Sequence, residues 1–157
     1  CVENTIYNYF TIFCLSMVPV IELRGAIPIG IALNLSAVAT WLTSVAGNML
    51  PVPFIILCIR SVFSWMEHRG GVLHRIVRHM KQKADKGAEM FYRYELLGLC
   101  ILVAIPLPGT GAWTGALVAA MLRLRMKDAI PAIFLGVCIA GIIVLSISCG
   151  VEFAISI

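Results

Sequence analysis

The feature that most constrains this chain is an apolar stretch, Leu96 to Leu122, that is broken at its middle. The break reads Ile105-Pro106-Leu107-Pro108-Gly109-Thr110-Gly111. A helix cannot run through it, because proline removes an amide donor and glycine raises the entropic cost of helix formation. Each arm suffices for half of a membrane crossing, which takes about 20 residues. The stretch is therefore either a kinked spanning helix or a hairpin that enters the membrane and returns to the same side.

The placement of lysine and arginine distinguishes these two alternatives. The segment from Arg60 to Tyr94 carries eight of the twelve basic residues, and Arg123, Arg125 and Lys127 follow the broken stretch. Cytoplasmic flanks carry the excess of Lys and Arg, so a hairpin, which keeps both clusters inside, is favoured over a single crossing. Irregular backbone at membrane depth is tolerated only against protein or a water-filled cavity, so the hairpin implies an internal polar site.

Composition agrees with a single integral membrane domain. The 157 residues are 61% hydrophobic and 13% charged, with a mean hydropathy of +0.97. These values are typical of a membrane protein. The net charge of +4 comes from the basic segment and does not indicate nucleic-acid binding. The six cysteines and three histidines show no metal-ligand spacing, so we expect no disulfide, metal or cofactor. The first apolar run lacks a basic leader, so we expect no cleavable signal.

The order of segments repeats once along the chain. Residues 1–60 hold an apolar hairpin broken between Pro19 and Gly30, then a long apolar segment; residues 95–157 hold the second hairpin, then another long segment from Ala129. With the first hairpin opening outward and the second inward, the halves form an inverted repeat, which in transporters surrounds a midplane site. The sequence therefore predicts an all-α integral membrane fold with two re-entrant hairpins and two spanning helices.

Two smaller patterns fall in the predicted spanning helices. Pro51 and Pro53 predict a kink in the first, from Ser36 to Ile59, and Asn48 beside them is either an interhelical hydrogen-bonding residue or a substrate contact. In the second, the small-residue stripe predicts a helix-packing face, within one chain or between two; it consists of Ala132, Gly136 and Ala140.

Residues 61–94 join the two halves. After Gly70-Gly71, apolar residues recur at helical spacing from Leu73 to Phe91, and basic residues fall on the opposite face. This pattern predicts a cationic amphipathic helix on the cytoplasmic membrane surface. It either attracts anionic lipid in general or forms a regulatory lipid-headgroup site.

Glu22 and Arg24 are the charges that this topology places deep in the first hairpin. An ionisable residue at membrane depth is costly and marks a functional site by default. Arg24 would supply a permanent positive charge for an anionic group, and Glu22, removed from water, would bind a proton during transport. The alternative is that the two neutralise one another or reach the outer surface. Gly25 and Pro28 would let the backbone turn and begin the second arm.

The second hairpin offers backbone donors at the same depth. Its turn consists of Pro106, Pro108, Gly109, Thr110 and Gly111. The arm that follows begins with free amide groups and the positive end of a helix dipole, which attract anions. Thr110 would contribute a hydroxyl contact or a helix cap, and Trp113 an apolar wall or simple filling of space.

The two motifs ELRGAIP (Glu22 to Pro28) and PLPGTGAWTG (Pro106 to Gly115) resemble the small multi-drug export family, over nearly the whole chain. The resemblance implies kinship with the DedA superfamily of SNARE-associated (VTT-domain) proteins, and hence two facing re-entrant hairpins with inverted symmetry. It also implies proton-coupled transport or movement of lipids between leaflets, polyprenyl phosphates included. DedA-like proteins tend to carry arginines around the second hairpin, whereas here Arg123 and Arg125 follow its second arm.

These patterns together predict a multi-pass inner-membrane transporter that moves an amphipathic or anionic substrate, such as a lipid phosphate, with proton coupling. A lipid scramblase that needs no gradient is one alternative, and a non-transporting scaffold or assembly factor is another. An enzyme is not expected, since there is no acid/base pair, nucleophile triad or metal cluster. The expected partners are membrane lipids, the substrate, protons and a second copy of the chain, because one copy encloses little volume.

Overall fold

The computed structural model describes residues 2–68, 88–105 and 111–155. Within these ranges the chain forms α1 (Val2–Met17), α2 (Glu22–Ala32), α3 (Ala37–Met49), α4 (Pro51–His68), α5 (Ala88–Ala104), α6 (Ala112–Met121) and α7 (Met126–Ile155). The described ranges contain no strand, so the all-helical prediction is confirmed for this part of the chain.

Two segments of the described ranges are long and apolar enough to cross a membrane. Ala37–Val62 covers α3 and most of α4, and Met126–Val151 lies in α7; each has 26 residues. At about 1.5 Å per residue, each exceeds the roughly 30 Å of bilayer hydrocarbon. The predicted kink in the first segment lies at Leu50, where α3 ends and Pro51 begins α4. A proline fits there because the first residue of a helix needs no amide donor.

Each long segment is crossed by another helix at a glycine. A Cβ placed on Gly47 in α3 would lie 2.5 Å from the carbonyl oxygen of Phe13 in α1. A Cβ on Gly136 in α7 would lie 2.7 Å from the carbonyl oxygen of Cys100 and 2.8 Å from Val103 Cβ, both in α5. Only a residue without a side chain permits either approach. Gly136, the central residue of the predicted small-residue face on α7, thus packs on α5 of the same chain.

The two short helices, α2 and α6, end in the same hydrogen-bonded turn. After α2, the amides of Leu33, Asn34 and Leu35 donate to the carbonyls of Ile29, Ile31 and Gly30. After α6, the amides of Leu122, Arg123 and Leu124 donate to the carbonyls of Val118, Ala120 and Ala119. Each partner in the second turn lies 89 positions after its counterpart in the first. The left-handed residue occupies the same place in both turns: Asn34 with φ 55° and Arg123 with φ 54°.

These two turns lie at opposite ends of the α3–α4 segment. Near the first turn, Gly30 in α2 contacts the side chain of Thr40 in α3. Near the second, the guanidinium of Arg60 in α4 donates a hydrogen bond to the carbonyl of Leu124. Thr40 and Arg60 are separated by about 30 Å of helix at 1.5 Å per residue. The C-terminal ends of α2 and α6 therefore lie at opposite ends of this segment.

The core between the helices is aliphatic, and so is much of the outer surface. Fully buried side chains include Ile27, Ile56, Leu99, Ile133 and Val137. Large exposed apolar side chains, including Phe54, Leu97, Ile101, Leu135 and Ile142, cover the outside. A surface this apolar suits a lipid environment, because soluble monomers rarely expose large contiguous apolar patches.

The segment between the halves differs in its bounds from the prediction. Helix α4 continues to His68, and α5 begins at Ala88, so both ends of the predicted link are helical. Most of the predicted amphipathic helix lies in residues 69–87, outside the described residues.

Candidate functional site

Glu22 is a buried acid at the first residue of α2, with 6% of its surface exposed. Its backbone is left-handed, with φ 49°, which costs a non-glycine residue about 1–2 kcal/mol. Its amide donates to the carbonyl of Val18 at 2.9 Å, closing the turn between α1 and α2. Strain of this kind persists only where surrounding contacts hold the residue in place, and such residues cluster at functional sites.

The carboxylate of Glu22 lies at the N-terminus of α6. It is so close to Gly111 that a Cβ there would overlap the carboxylate oxygens. The backbone amide of Trp113 donates a hydrogen bond to the same carboxylate. The first turn of a helix has unpaired amides and a partial positive charge, so it stabilises a negative group. The anion attraction predicted for this helix end is therefore met here by the protein's own carboxylate.

Arg24 extends to the other side of the second hairpin's break. Its Nη2 donates to the carbonyl of Ile105 at 3.1 Å, immediately after α5 ends. A helix C-terminus has unpaired carbonyls and a partial negative charge, which favours a cation. Glu22 and Arg24 thus lie at the two helix ends that flank residues 106–110: Glu22 at the start of α6 and Arg24 at the end of α5.

Trp113 makes the reciprocal connection. Its indole Nε1 donates to the carbonyl of Met17 at 3.2 Å, at the last residue of α1. A side chain near the start of each short helix therefore binds the end of a longer helix. Arg24 in α2 binds Ile105 after α5, and Trp113 in α6 binds Met17 at the end of α1. The sequence prediction gave Trp113 an apolar role and missed this hydrogen bond.

The first hairpin turns earlier than predicted. The turn lies between Val18 and Ile21, so Gly25 and Pro28 lie inside α2 and do not form the turn. The left-handed Glu22 ends the turn and begins the second arm. Pro28 costs one helical hydrogen bond, and its side chain is exposed. Gly25 packs on Ile21, whose Cγ2 would lie 2.5 Å from an added Cβ.

The family comparison matches residues 22–143 to the family described as "Putative small multi-drug export protein". The chain belongs to this family. The match covers Glu22, Arg24, Gly111 and Trp113, so the described site lies inside the family region. The family, together with the two long apolar segments, indicates a membrane protein. No curated protein and no solved structure matches the chain.

A second polar feature lies on α3. Asn48 is fully buried, and among the described residues neither its Oδ1 nor its Nδ2 has a hydrogen-bond partner. The hydroxyls of Thr40 and Ser44, four and eight residues earlier, are also buried and without a partner in the described ranges. The sequence prediction selected Asn48 but missed the hydroxyls. The sequence feature that could have identified the hydroxyls is their spacing: Thr40, Ser44 and Asn48 are four residues apart and so lie on one helix face.

Four predicted site residues, Pro106, Pro108, Gly109 and Thr110, lie outside the described residues. Within the described ranges, no group of histidine, cysteine and acidic side chains is arranged to hold a metal ion. The structure therefore brings together Glu22, Arg24, Gly111 and Trp113, and it leaves Pro28 at the surface.

Proposed function

We propose that this member of the family is a proton-coupled transporter of the inner membrane. Its substrate is an amphipathic or anionic molecule that binds where two re-entrant hairpins meet near the bilayer midplane. The proposal rests on one observation: the buried carboxylate of Glu22 caps the N-terminus of α6 while Arg24 binds the end of α5.

The arrangement of the short helices supports the hairpin topology. Helix α2 has 11 residues and α6 has 10. At about 1.5 Å per residue, each covers about half of a 30 Å hydrocarbon layer. Their first residues meet, and their last residues lie at opposite ends of the α3–α4 segment. Arg60 contacts Leu124, so Arg125 and Lys127 lie at the same end of the α3–α4 segment as Arg60. Hairpins entering from opposite leaflets account for all of these features. The matching turns after α2 and α6 and the two glycine crossings fit an inverted repeat of such hairpins.

Competition for one helix end provides the coupling. An anionic group of the substrate would need the amides of α6 and the guanidinium of Arg24. While Glu22 is ionised, its carboxylate holds those amides and repels the anion. When Glu22 takes up a proton, the negative charge is lost, and Arg24 and the α6 dipole leave the site positive. The proton and the anion then occupy the site together, and release of the proton returns the carboxylate to α6.

This charge balance favours an anionic headgroup over a cationic one. Arg24 opposes a cation at the site, whereas a phosphate or carboxylate pairs with a guanidinium in two-point geometry. The DedA kinship implied by the sequence would make that headgroup a lipid phosphate. A homodimer would enclose the apolar part of such a substrate better than one copy.

Purified protein in liposomes tests the proposal with a fluorescent phosphatidic acid and the cationic dye ethidium, each with and without a pH gradient. Glu22→Gln keeps the side-chain shape but cannot cycle a proton, so we expect transport that no longer responds to the gradient. Glu95→Gln, at an exposed position on α5, is the matched control and should behave as wild type. A gradient response that survives Glu22→Gln overturns the coupling role.

Arg24→Gln should weaken binding of the phosphatidic acid about tenfold or more, because a hydrogen bond to a charged group is lost. Arg93→Gln, which is also exposed on α5, controls for the loss of one positive charge. Equal affinity in both variants overturns the assignment of Arg24. Lipid movement that is independent of the gradient and of Glu22 would identify the scramblase alternative. Folded protein that moves neither probe would identify the scaffold.

A further inference from the structure

A row of buried polar side chains runs along one face of α3. It consists of Thr40, Ser44 and Asn48, each with no exposed surface. The hydroxyl oxygens of the first two and both amide atoms of Asn48 have no hydrogen-bond partner within the described ranges. A buried polar group left unpaired costs about 1–3 kcal/mol, so three on one face require a physical explanation.

Other hydroxyls in the helices do not behave this way. The side chains of Thr11, Ser16, Ser146 and Ser148 each donate to the carbonyl four residues earlier, at 2.8–2.9 Å. That local bond satisfies a hydroxyl in an apolar helix at little cost. Thr40 and Ser44 do not make it. Their hydroxyls therefore keep both donor and acceptor capacity for another group.

The row leads from near one surface to the middle of the fold. Thr40 lies one helical turn after the exposed residue Ser36, where the turn between α2 and α3 ends. Asn48 lies about 16 Å along the segment from Ala37, close to half of the roughly 30 Å hydrocarbon layer. Helix α2 runs back along α3 from the contact of Gly30 with Thr40 to Glu22, where α2 meets α6. Both the row and α2 thus end at central depth.

We infer that the Thr40–Ser44–Asn48 face binds a file of internal water molecules that carries protons between the turn at residues 33–36 and Glu22. Side chains four residues apart are separated by about 6 Å along a helix, a gap that one water molecule bridges with two hydrogen bonds of about 2.8 Å. A hydroxyl can donate and accept at once, so Thr40 and Ser44 can pass a proton along such a file. Asn48 would hold the innermost water.

Among the titratable side chains near the inner end of this row, Glu22 is the group we assign as the acceptor of these protons. Helix α3 has no titratable side chain. Arg24 supplies the charge that acts on the carboxylate. The other helices packed on α2 carry these titratable side chains in their described parts: Tyr7, Tyr9 and Cys14 on α1, Lys127 and Asp128 in the first turn of α7, and Cys138 and Cys149 farther along α7. The inference rests on the proposed proton coupling at Glu22, but the hydrated face can be measured separately.

Cysteine accessibility tests the hydrated face without any transport assay. In a chain whose native cysteines are replaced by alanine, Ser44→Cys is compared with Val45→Cys, its buried apolar neighbour. A small water-soluble methanethiosulfonate should label position 44 at least about tenfold faster than position 45, because thiolate forms only where water reaches it. Equal labelling rates overturn the water file.

Transport then tests whether the file carries protons. Ser44→Ala should slow gradient-driven transport about tenfold, leave the affinity for phosphatidic acid unchanged and leave the unfolding temperature at or above that of wild type, since it removes an unpaired buried hydroxyl. Ser44→Thr restores a hydroxyl and should restore the rate. A Ser44→Ala rate equal to wild type overturns the inference. If Glu22→Gln keeps its gradient response while position 44 is labelled, the proposed function fails and the hydrated face stands.

Discussion

The backbone of Gly111 lies directly against the carboxylate of Glu22, with no room between them for a side chain. This contact joins the start of α2 to the start of α6. Two hydrogen bonds extend it, from Arg24 to Ile105 and from Trp113 to Met17. Each half of the chain thus satisfies the broken helix ends of the other half. Irregular backbone inside a membrane protein needs such partners, because lipid supplies none.

Gly111→Ala should disrupt the site while the rest of the fold persists. The new methyl group would take the place of the Glu22 carboxylate and push it away from the Trp113 amide. We expect a loss of about 1–3 kcal/mol in unfolding free energy, typical of overpacking, and loss of gradient-driven transport. Thermal unfolding in detergent and liposome transport measure the two effects.

Gly98→Ala is the matched control for Gly111→Ala. Gly98 lies within α5, and an added Cβ would meet no atom within 4 Å. Alanine is the better helix former by up to about 1 kcal/mol, so this variant should be as stable as wild type or more stable. If both alanines had the same effect, the Glu22–Gly111 contact would have no special role.

The close helix contacts at Gly47 and Gly136 predict similar stability losses in two alanine variants. Gly47→Ala and Gly136→Ala should each destabilise the protein by about 1–3 kcal/mol, since the obstacle is a backbone carbonyl that cannot rotate away. The two losses of unfolding free energy should be similar, because in each variant the added Cβ meets a backbone carbonyl oxygen at 2.5–2.7 Å. Gly150→Ala, with nothing within 4 Å of an added Cβ, is the control on α7. Chemical unfolding measures both losses. If the losses of Gly47→Ala and Gly136→Ala differed by several kcal/mol, the two contacts would not be equivalent.

The half-buried indoles of Trp41 and Trp113 allow a direct measurement of the hydrogen bond to Met17. Trp113→Phe removes an N–H that donates to this carbonyl, whereas Trp41→Phe removes an N–H without a partner among the described residues. Both changes delete the same atoms, so the difference between the unfolding free energies of the two variants isolates the hydrogen bond. Within membrane proteins such bonds contribute about 0.6 kcal/mol on average and up to about 1.7. We expect Trp113→Phe to be the less stable by that amount, and the reverse order would refute the assignment.

Local chemistry explains what the sequence could predict. Closely spaced prolines and glycines disfavour a continuous helix, so the end of α5 before Pro106 and the break between α3 and Pro51 followed from the local sequence. A lone acid and base in an apolar segment are costly, so Glu22 and Arg24 were identifiable as site candidates.

The missed features depend on partners that carry no sequence signal. Arg24 and Trp113 bind the backbone carbonyls of Ile105 and Met17, and any residue has a carbonyl. The turn before α2 was placed at Gly25 and Pro28 because these residues usually mark turns. The chain instead turns at a left-handed glutamate, a conformation held by contacts with α6 that no local pattern reveals.

Sidedness is the prediction that tests the topology as a whole. Ser36 and Lys127 lie near the starts of the two long apolar segments, and both are exposed. In the cysteine-free chain, Ser36→Cys should react with a membrane-impermeant maleimide from outside intact cells, and Lys127→Cys only after permeabilisation. Lys83→Cys, in the basic segment, should match Lys127→Cys, because both belong to clusters of basic residues expected on the cytoplasmic side, and Arg60 contacts Leu124 near the start of the second cluster. If Lys127 and Lys83 were labelled from opposite sides, α5 and α6 would form a single crossing, and the inverted repeat of two hairpins would be wrong.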